Sequence, residues 1–212
     1  MDREKVMKVI LNVLKDAGLG SDMIPVGISN RHVHLSQCDL DTLFGVGYVL
    51  TKMKDLSQPE QYACKETVTI CSHKGVIENL RILGPVRDKT QVEILAGDCF
   101  RLGVEAPLRL SGELHGTPGG VALIGTKGSV YLTNGLIVAK RHIHMSPDDA
   151  KRFGVHDGQI VSIEIAGERG GVYHNTLIRV SASFALECHL DVEEANSMGV
   201  TPATKISIRK IA

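Results

Sequence analysis

The sequence predicts a mainly β protein with short helices, duplicated internally into two pseudo-symmetric β-barrels, behind a short N-terminal amphipathic helix. Three observations carry this reading. A phrase is said twice, as Arg31-His32-Val33-His34-Leu35-Ser36 and as Arg141-His142-Ile143-His144-Met145-Ser146. An acid, four or five residues, then Gly-Val occurs as Asp39…Gly45-Val46, Asp98…Gly103-Val104, Asp149…Gly154-Val155 and Glu194…Gly199-Val200. After Pro25, short β-branched runs separated by Gly, Asp, Asn and Pro dominate the chain.

In chain order, residues 3–17 come first. Val6, Met7, Ile10, Leu11 and Leu14 form an apolar stripe at helical spacing, with Lys5, Lys8, Asn12 and Lys15 on the other side. Glu4 and Lys8 make a favourable i,i+4 pair, and Gly18 and Gly20 end the helix. Such a stripe either docks on the body of the protein or offers its apolar face to a partner.

The runs Ile24 to Ile28 and Leu136 to Ala139 precede the two histidine phrases and read as strands. In a strand, residues i and i+2 project from one face, so each phrase presents two imidazoles side by side at a spacing that suits one metal ion. The serine ending each phrase begins a helix. Ser36 has Asp39 three residues on; Ser146 has Asp149, and Pro147 between them. Each acid-to-Gly-Val stretch reads as a short helix closed by a glycine, then a turn into a strand. Further strands are expected at Val68–Cys71, Val76–Leu83, Val92–Leu95, Ser129–Leu132, Gly135–Val138, Ile160–Ile165, Thr176–Val180 and Lys205–Ile208. Residues 52–66, with Ser57-Gln58-Pro59, read as a connector. Short helix plus strand, four times over, suggests two barrels with two such units each, in the phrasing of double-psi-type half-barrels.

Composition narrows the function. Among 212 residues, 24 basic and 24 acidic side chains balance, so an anion site must be local rather than a polyanion-binding face. Aromatics are 4%, with no Trp, which argues against base stacking; no nucleic-acid partner is expected. No apolar stretch approaches the ~20 residues of a membrane span. Five scattered cysteines, Cys38, Cys64, Cys71, Cys99 and Cys188, without a C-x-x-C pair, fit a reduced, cytoplasmic protein. Cys188, beside His189, reads as a buried free thiol rather than a ligand or nucleophile.

Two histidine pairs give four nitrogen ligands, whereas an open catalytic site usually takes three protein ligands per metal. His189 is a further imidazole, and Glu93 a carboxylate in an otherwise apolar strand. His73, His115, His156 and His174 stand in polar settings and read as surface or structural. Arg87, after Leu83-Gly84-Pro85, and the glycine-rich stretch 111–120 are anion-binding candidates. No P-loop, G-x-G-x-x-G or G-x-S-x-G motif is present. From the residues alone, the reading ends at a duplicated β protein for one or two transition metals, with an arginine available to an anion.

Six blocks in order, SNRHVHLS, QPEQYACKETVTI, LGPVRDKTQVEI, PLRLSGELHGTPGG, VAKRHIHMSPDDA and ECHLDVEEANSMGV, extend this. With them the chain resembles the PduL-type phosphate propanoyltransferase (phosphotransacylase) family of bacterial microcompartments, from about Pro25 to Ser207. The resemblance implies two β-barrel domains with exchanged strands: 21–30 plus 140–212 as the first, 31–51 plus 67–139 as the second, and 52–66 connecting. It implies transfer of an acyl group between coenzyme A and inorganic phosphate, with two zinc ions or another divalent transition metal. His32, His34 and Glu93 would hold the first ion, and His142, His144 and His189 the second. Arg87 would bind phosphate, with Ser111 and Arg179 lining the site. Coenzyme A would touch Ile28, Ser29, Asn30, Lys74, Arg81 and Asn196. Glu60 departs from the glycine often found there, and Cys188 from a common methionine. The resemblance further implies a homo-oligomer in the cytoplasm, inside a microcompartment, with residues 1–20 as a segment that binds shell proteins.

Phosphate is already an anionic nucleophile, so the expected chemistry is direct attack on the thioester of propanoyl-CoA or acetyl-CoA, without a serine or cysteine intermediate. The alternative is a metal-dependent CoA-thioester hydrolase, with water in place of phosphate. A bicupin oxygenase would carry a glutamate soon after each histidine pair, where Ser36 and Ser146 instead begin helices. An amidohydrolase barrel typically takes ~250 residues and eight long helices. A non-catalytic metal-binding module remains a third option.

Overall fold

The computed structural model describes residues 23–209. The amphipathic helix expected at 3–17 lies outside the described residues. The elements run β1 (Met23–Ser29), β2 (His32–His34), α1 (Gln37–Phe44), β3 (Lys52–Asp55), β4 (Tyr62–Cys71), β5 (Val76–Gly84), β6 (Gln91–Ile94) and α2 (Ala96–Leu102). Then follow β7 (Leu108–Arg109), β8 (Val121–Ile124), β9 (Ser129–Leu132), β10 (Leu136–Ala139), β11 (His142–Met145) and α3 (Pro147–Phe153). Last come β12 (Ile160–Ile165), β13 (Gly171–Val180), β14 (Glu187–Asp191), α4 (Val192–Ser197) and β15 (Lys205–Arg209). The mainly β class with short helices is as expected.

The chain divides into two compact units. Of the described residues, the first takes those up to Gly27, His142–His189 and those from Met198; the second takes Ile28–Arg141 and Leu190–Ser197. The first unit is built on a closed barrel of order β1-β14-β11-β13-β12-β15, sealed where β1 pairs antiparallel with β15 and Ile24 stands opposite Ile206. Its fully buried isoleucines, Ile24, Ile143, Ile163, Ile178 and Ile206, each stabilise the fold by roughly 1.5–3 kcal/mol. The second unit carries a nine-stranded sheet of order β7-β10-β6-β2-β5-β4-β8-β9, with β3 on β4. Val33, Leu35, Leu43, Ile82, Val92 and Leu136 form the centre of its core.

Both serine caps form. Ser146 accepts the Asp149 N–H, and Asp149 in turn accepts the Ser146 N–H at 3.3 Å, with Pro147 in the first turn. In the first copy Ser36 accepts the Asp39 N–H at 3.2 Å, but its own N–H goes to Thr90 Oγ1 at 2.9 Å, and Thr90 donates to Asp39. Thr90 therefore closes a box that Asp39 closes alone in α3. Gly103, Gly154 and Gly199 are left-handed, with φ of 63°, 69° and 64°. Gly45 instead leaves α1 at φ 108°, ψ 148°.

Residues 52–66 are not simply a connector. They hold β3 and the start of β4, antiparallel, with Lys52 opposite Cys64 and Asp55 opposite Tyr62. All four β3 residues are exposed, so this edge strand has no apolar alternation to announce it. Glu60, between the two strands, sits at φ 64°, where a glycine would rest without strain. β8 follows Gly119-Gly120 and was hidden by the loop-like glycines before it.

Candidate metal centres and substrate-binding residues

In the second unit β2 lies between β5, parallel to it, and β6, antiparallel. The register sets His32 opposite Glu93 and His34 opposite Gln91, while Val33 faces Val92 and Ile82. Strand alternation thus gathers two imidazoles, a carboxylate and an amide on one face. The ligand atoms of His32, His34 and Glu93 lie within 4.8 Å of one another, and all three residues are buried. His32 Nδ1 is 2.8 Å from the Asn30 carbonyl, and its Nε2 is 3.5 Å from Glu93 Oε2.

The first unit repeats the plan. β11 lies between β13, parallel, and β14, antiparallel, with His142 opposite His189 and His144 opposite Glu187. His189 thus occupies the register position of Glu93. The ligand atoms of His142, His144 and His189 also fall within 4.8 Å of one another. His142 and His189 stack at 4.8 Å between ring centres.

Two buried nitrogens test whether these sets suit a metal ion. His34 Nδ1 and His144 Nδ1, at equivalent places in the two units, have no hydrogen-bond partner. A buried polar atom without a partner costs free energy, and a cation between the rings relieves it. The electrostatics agree. Burial, with His32 and Arg87 nearby, holds the His34 pKa well below its ordinary value. Burial, with His142 and His189, takes His144 down to about 2. Both rings are therefore neutral at pH 7, the form a metal requires. Burial alone would lower His32, but the Glu93 carboxylate and the Asn30 carbonyl raise it. Burial likewise opposes charge on Glu93, yet His32 overcomes this and holds the carboxyl far below its usual range. Two imidazole sets, one of them completed by a carboxylate, have the donor chemistry to hold an ion such as zinc each.

The arginine heading each phrase is structural. Arg31 Nε donates to Asp98 at 2.7 Å and Arg141 Nε to Glu194 at 2.7 Å. Asp98 and Glu194 also accept the N–H groups of Leu95 and Asp191 just before their helices. The four acids of the repeat thus fall into two pairs. Asp39 and Asp149 cap the helix after a histidine phrase; Asp98 and Glu194 anchor its arginine.

Arg87 is tied just after the first histidine pair, its backbone N–H donating to the Leu35 carbonyl at 2.9 Å. Its Nη1 donates to Ser111 Oγ at 3.0 Å. Gln91, fully buried, binds the group together. Its Nε2 donates to Glu93 Oε1 at 2.6 Å and to Ser111 Oγ at 2.9 Å, and its Oε1 accepts the Gly112 N–H at 2.7 Å. Arg179 Nη1 lies 3.5 Å from His144 Nε2, and its guanidinium lies over the Phe184 ring, which stacks on His144 at 4.0 Å.

The residues expected at coenzyme A are more scattered. Ile28 and Ser29 end β1, and Ser29 donates weakly to the Leu190 carbonyl at 3.4 Å. Asn30 is exposed and accepts the Arg31 N–H. Lys74 is exposed beside Gly103, and Asn196 is exposed on α4. Arg81 stands opposite His32, with Nη1 on the carbonyls of Cys64 and Lys65. Arg81 thus meets the first triad through strand pairing, whereas Lys74 and Asn196 stand exposed before β5 and on α4. His73, His115, His156 and His174 are exposed, and Cys188 is fully buried opposite Ile143, outside the ligand set. Gln91, Glu187 and Phe184 escaped sequence reasoning. The first two stand two residues before a ligand on the same strand, a signal that period-2 reading offers; Phe184, in a loop, offered none.

Comparison with known proteins shows the family. A family model described as phosphate propanoyltransferase matches residues 25–201. A phosphate propanoyltransferase of Thermotoga maritima is 54% identical over 194 residues, covering 91% of this chain and 90% of the relative. That of Rhodobacter capsulatus is 51% identical, covering 89% and 87%. That of Lachnoclostridium phytofermentans is 49% identical, covering 97% of each. With the match spanning both histidine phrases, Arg87, Glu93 and His189, the chain belongs to the phosphate propanoyltransferase family.

Proposed function

We propose that this phosphate acyltransferase interconverts propanoyl-CoA or acetyl-CoA plus phosphate with the acyl phosphate plus coenzyme A, using two zinc ions, one in each triad. The observation that carries the reading is the pair of ligand sets, one buried and one partly buried, with an orphaned Nδ1 in each, the first joined through Gln91 and Ser111 to Arg87. Family membership favours transfer to phosphate over hydrolysis.

A bound zinc supplies Lewis acidity toward the thioester carbonyl oxygen. The residues do the rest. Arg87 binds the phosphate dianion, and Ser111 fixes the guanidinium so that little reorganisation is needed as charge moves. A phosphate oxygen attacks the thioester carbon, the new C–O bond forms, and the C–S bond breaks to release the coenzyme A thiolate. In the first unit Arg179, held over Phe184 beside His144, is the candidate partner for negative charge. Ile28, Ser29, Asn30, Lys74, Arg81 and Asn196 bind coenzyme A in this reading. Residues 21–30 with 140–212, and 31–51 with 67–139, are the two barrel domains. Residues 1–20 direct the homo-oligomer into a microcompartment by binding shell proteins.

The test is to measure bound metal and to follow coenzyme A release from both acyl-CoAs with and without phosphate. Release should require phosphate and yield acyl phosphate; equal release without it would establish the hydrolase. Arg87→Ala should lose phosphate-dependent turnover and keep its metal, whereas His142→Ala should lose metal. Ping-pong kinetics or a trapped acylated residue would sink direct attack.

A further inference from the structure

We infer that Glu187 is the positioning carboxylate of the all-histidine metal site, and that Gly27 is glycine to leave room for it. The inference rests on the proposed zinc in that site. The two units share one register: the residue opposite the second histidine is Gln91 in one and Glu187 in the other, and the residue opposite the first is Glu93 or His189. Each unit therefore has an i,i+2 pair on one strand face. In the second unit an amide supports a carboxylate ligand; in the first a carboxylate stands beside an imidazole ligand. Glu187 is buried, with Oε2 3.2 Å from His189 Nε2. It is not in the set of atoms lying within 4.8 Å of one another, so it acts beside the ligands rather than among them.

Charge gives this exchange its meaning. A divalent ion held by Glu93 and two neutral imidazoles keeps one excess positive charge. Three neutral imidazoles would leave two, buried, and Glu187 brings that excess back to one. Both sites thus carry a single carboxylate, in the ligand set of one and behind the ligand set of the other. A carboxylate set against a ligating imidazole orients the ring and raises its basicity.

Gly27 on β1 supplies the space. A Cβ there would come within 2.7 Å of the Glu187 carboxyl carbon and 2.8 Å of Oε2. Alanine at 27 would therefore displace the carboxylate, the movable end of a side chain, rather than the backbone.

The experiment is zinc competition with a chromophoric chelator on the full chain, read as two binding steps, with cobalt spectra for ligand geometry. Glu187→Gln keeps the shape and removes the charge; it should weaken one step by about 10- to 100-fold and leave the other unchanged. Gly27→Ala should weaken the same step, and in the double variant add nothing to Glu187→Gln. Its shift in the cobalt spectrum, at unchanged circular dichroism, separates positioning from misfolding. Wild-type affinity in both steps of Glu187→Gln would overturn the inference while leaving the two-zinc reading intact. An additive Gly27→Ala would overturn the role given to Gly27. A wild-type chain that binds only one zinc would overturn the two-zinc reading, and the inference with it.

Discussion

Gln91→Glu replaces one amide with a carboxyl of the same shape, at a fully buried position 2.6 Å from Glu93 Oε1. Two ionised carboxylates at that separation repel by about 6 kcal/mol at an effective dielectric of ~20. The zinc-free chain has a cheaper course, which is to protonate one of them. At pH 7 that costs about 4 kcal/mol, from an ordinary glutamate pKa of ~4.3 and about 1.4 kcal/mol per pH unit. The variant should thus be less stable than its parent by about 4 kcal/mol at pH 7. The gap should narrow to roughly 2 kcal/mol at pH 5.5 and nearly close at about pH 4.5. The sign follows because the folded variant binds a proton that the unfolded chain releases above its own pKa. Urea unfolding of metal-stripped protein at two pH values measures it. Gln91→Leu serves as control: it strands the Glu93, Ser111 and Gly112 partners at a cost of a few kcal/mol that does not vary with pH. A Gln91→Glu gap equal at pH 7 and pH 5.5, or below about 1 kcal/mol at pH 7, would refute the reasoning.

Other outcomes follow from the same geometry. His34 and His144 have folded pKa values below the ordinary ~6.5, so the unfolded chain binds more protons below that pH. Metal-stripped protein should lose about 1.4 kcal/mol per pH unit for each of them as pH falls from 6.5 toward 5. His32, raised, is protonated in both states there and adds nothing; denaturant midpoints at pH 7.5, 6 and 5 give the slope. Glu60→Gly relieves a left-handed backbone and should be neutral or stabilising by up to about 1 kcal/mol, read from the melting midpoint. Ser146→Ala removes a capping box and should cost about 1 kcal/mol in the same measurement.

What the sequence disclosed depended on whether a residue's role was local. The histidine pairs, the serine caps and the glycine ends of α2, α3 and α4 are local, and each could be read from spacing. Strands with alternation or β-branched runs, such as Ile160–Ile165, were legible to the residue. Lys52–Asp55 was not, because an exposed edge strand takes its conformation from its partner. Glu93 and His189 could be suspected as chemistry, but only strand pairing reveals that each stands opposite the first histidine of its phrase. Gln91 and Glu187 looked like ordinary strand residues until the same pairing gave them a ligand to face. Thr90 is the plainest case: it completes the cap of Ser36 from 54 positions away, and no window of sequence contains both.

The closed barrel draws β1 from before the nine-stranded sheet and its other five strands from after it. During synthesis β1 therefore leaves the ribosome with no partner. About 160 residues must follow before its neighbour β14 exists, which takes on the order of ten to thirty seconds at 5–20 residues per second. The second unit can collapse in that interval, since all but α4 and its approach is already made. β1 cannot, and it waits with both edges bare, open to pairing with any neighbouring chain. Among the described strands it is the first made and among the last to be buried. The order of manufacture and the order of assembly run in opposite directions, so a newly made chain is most vulnerable at the strand that carries Gly27.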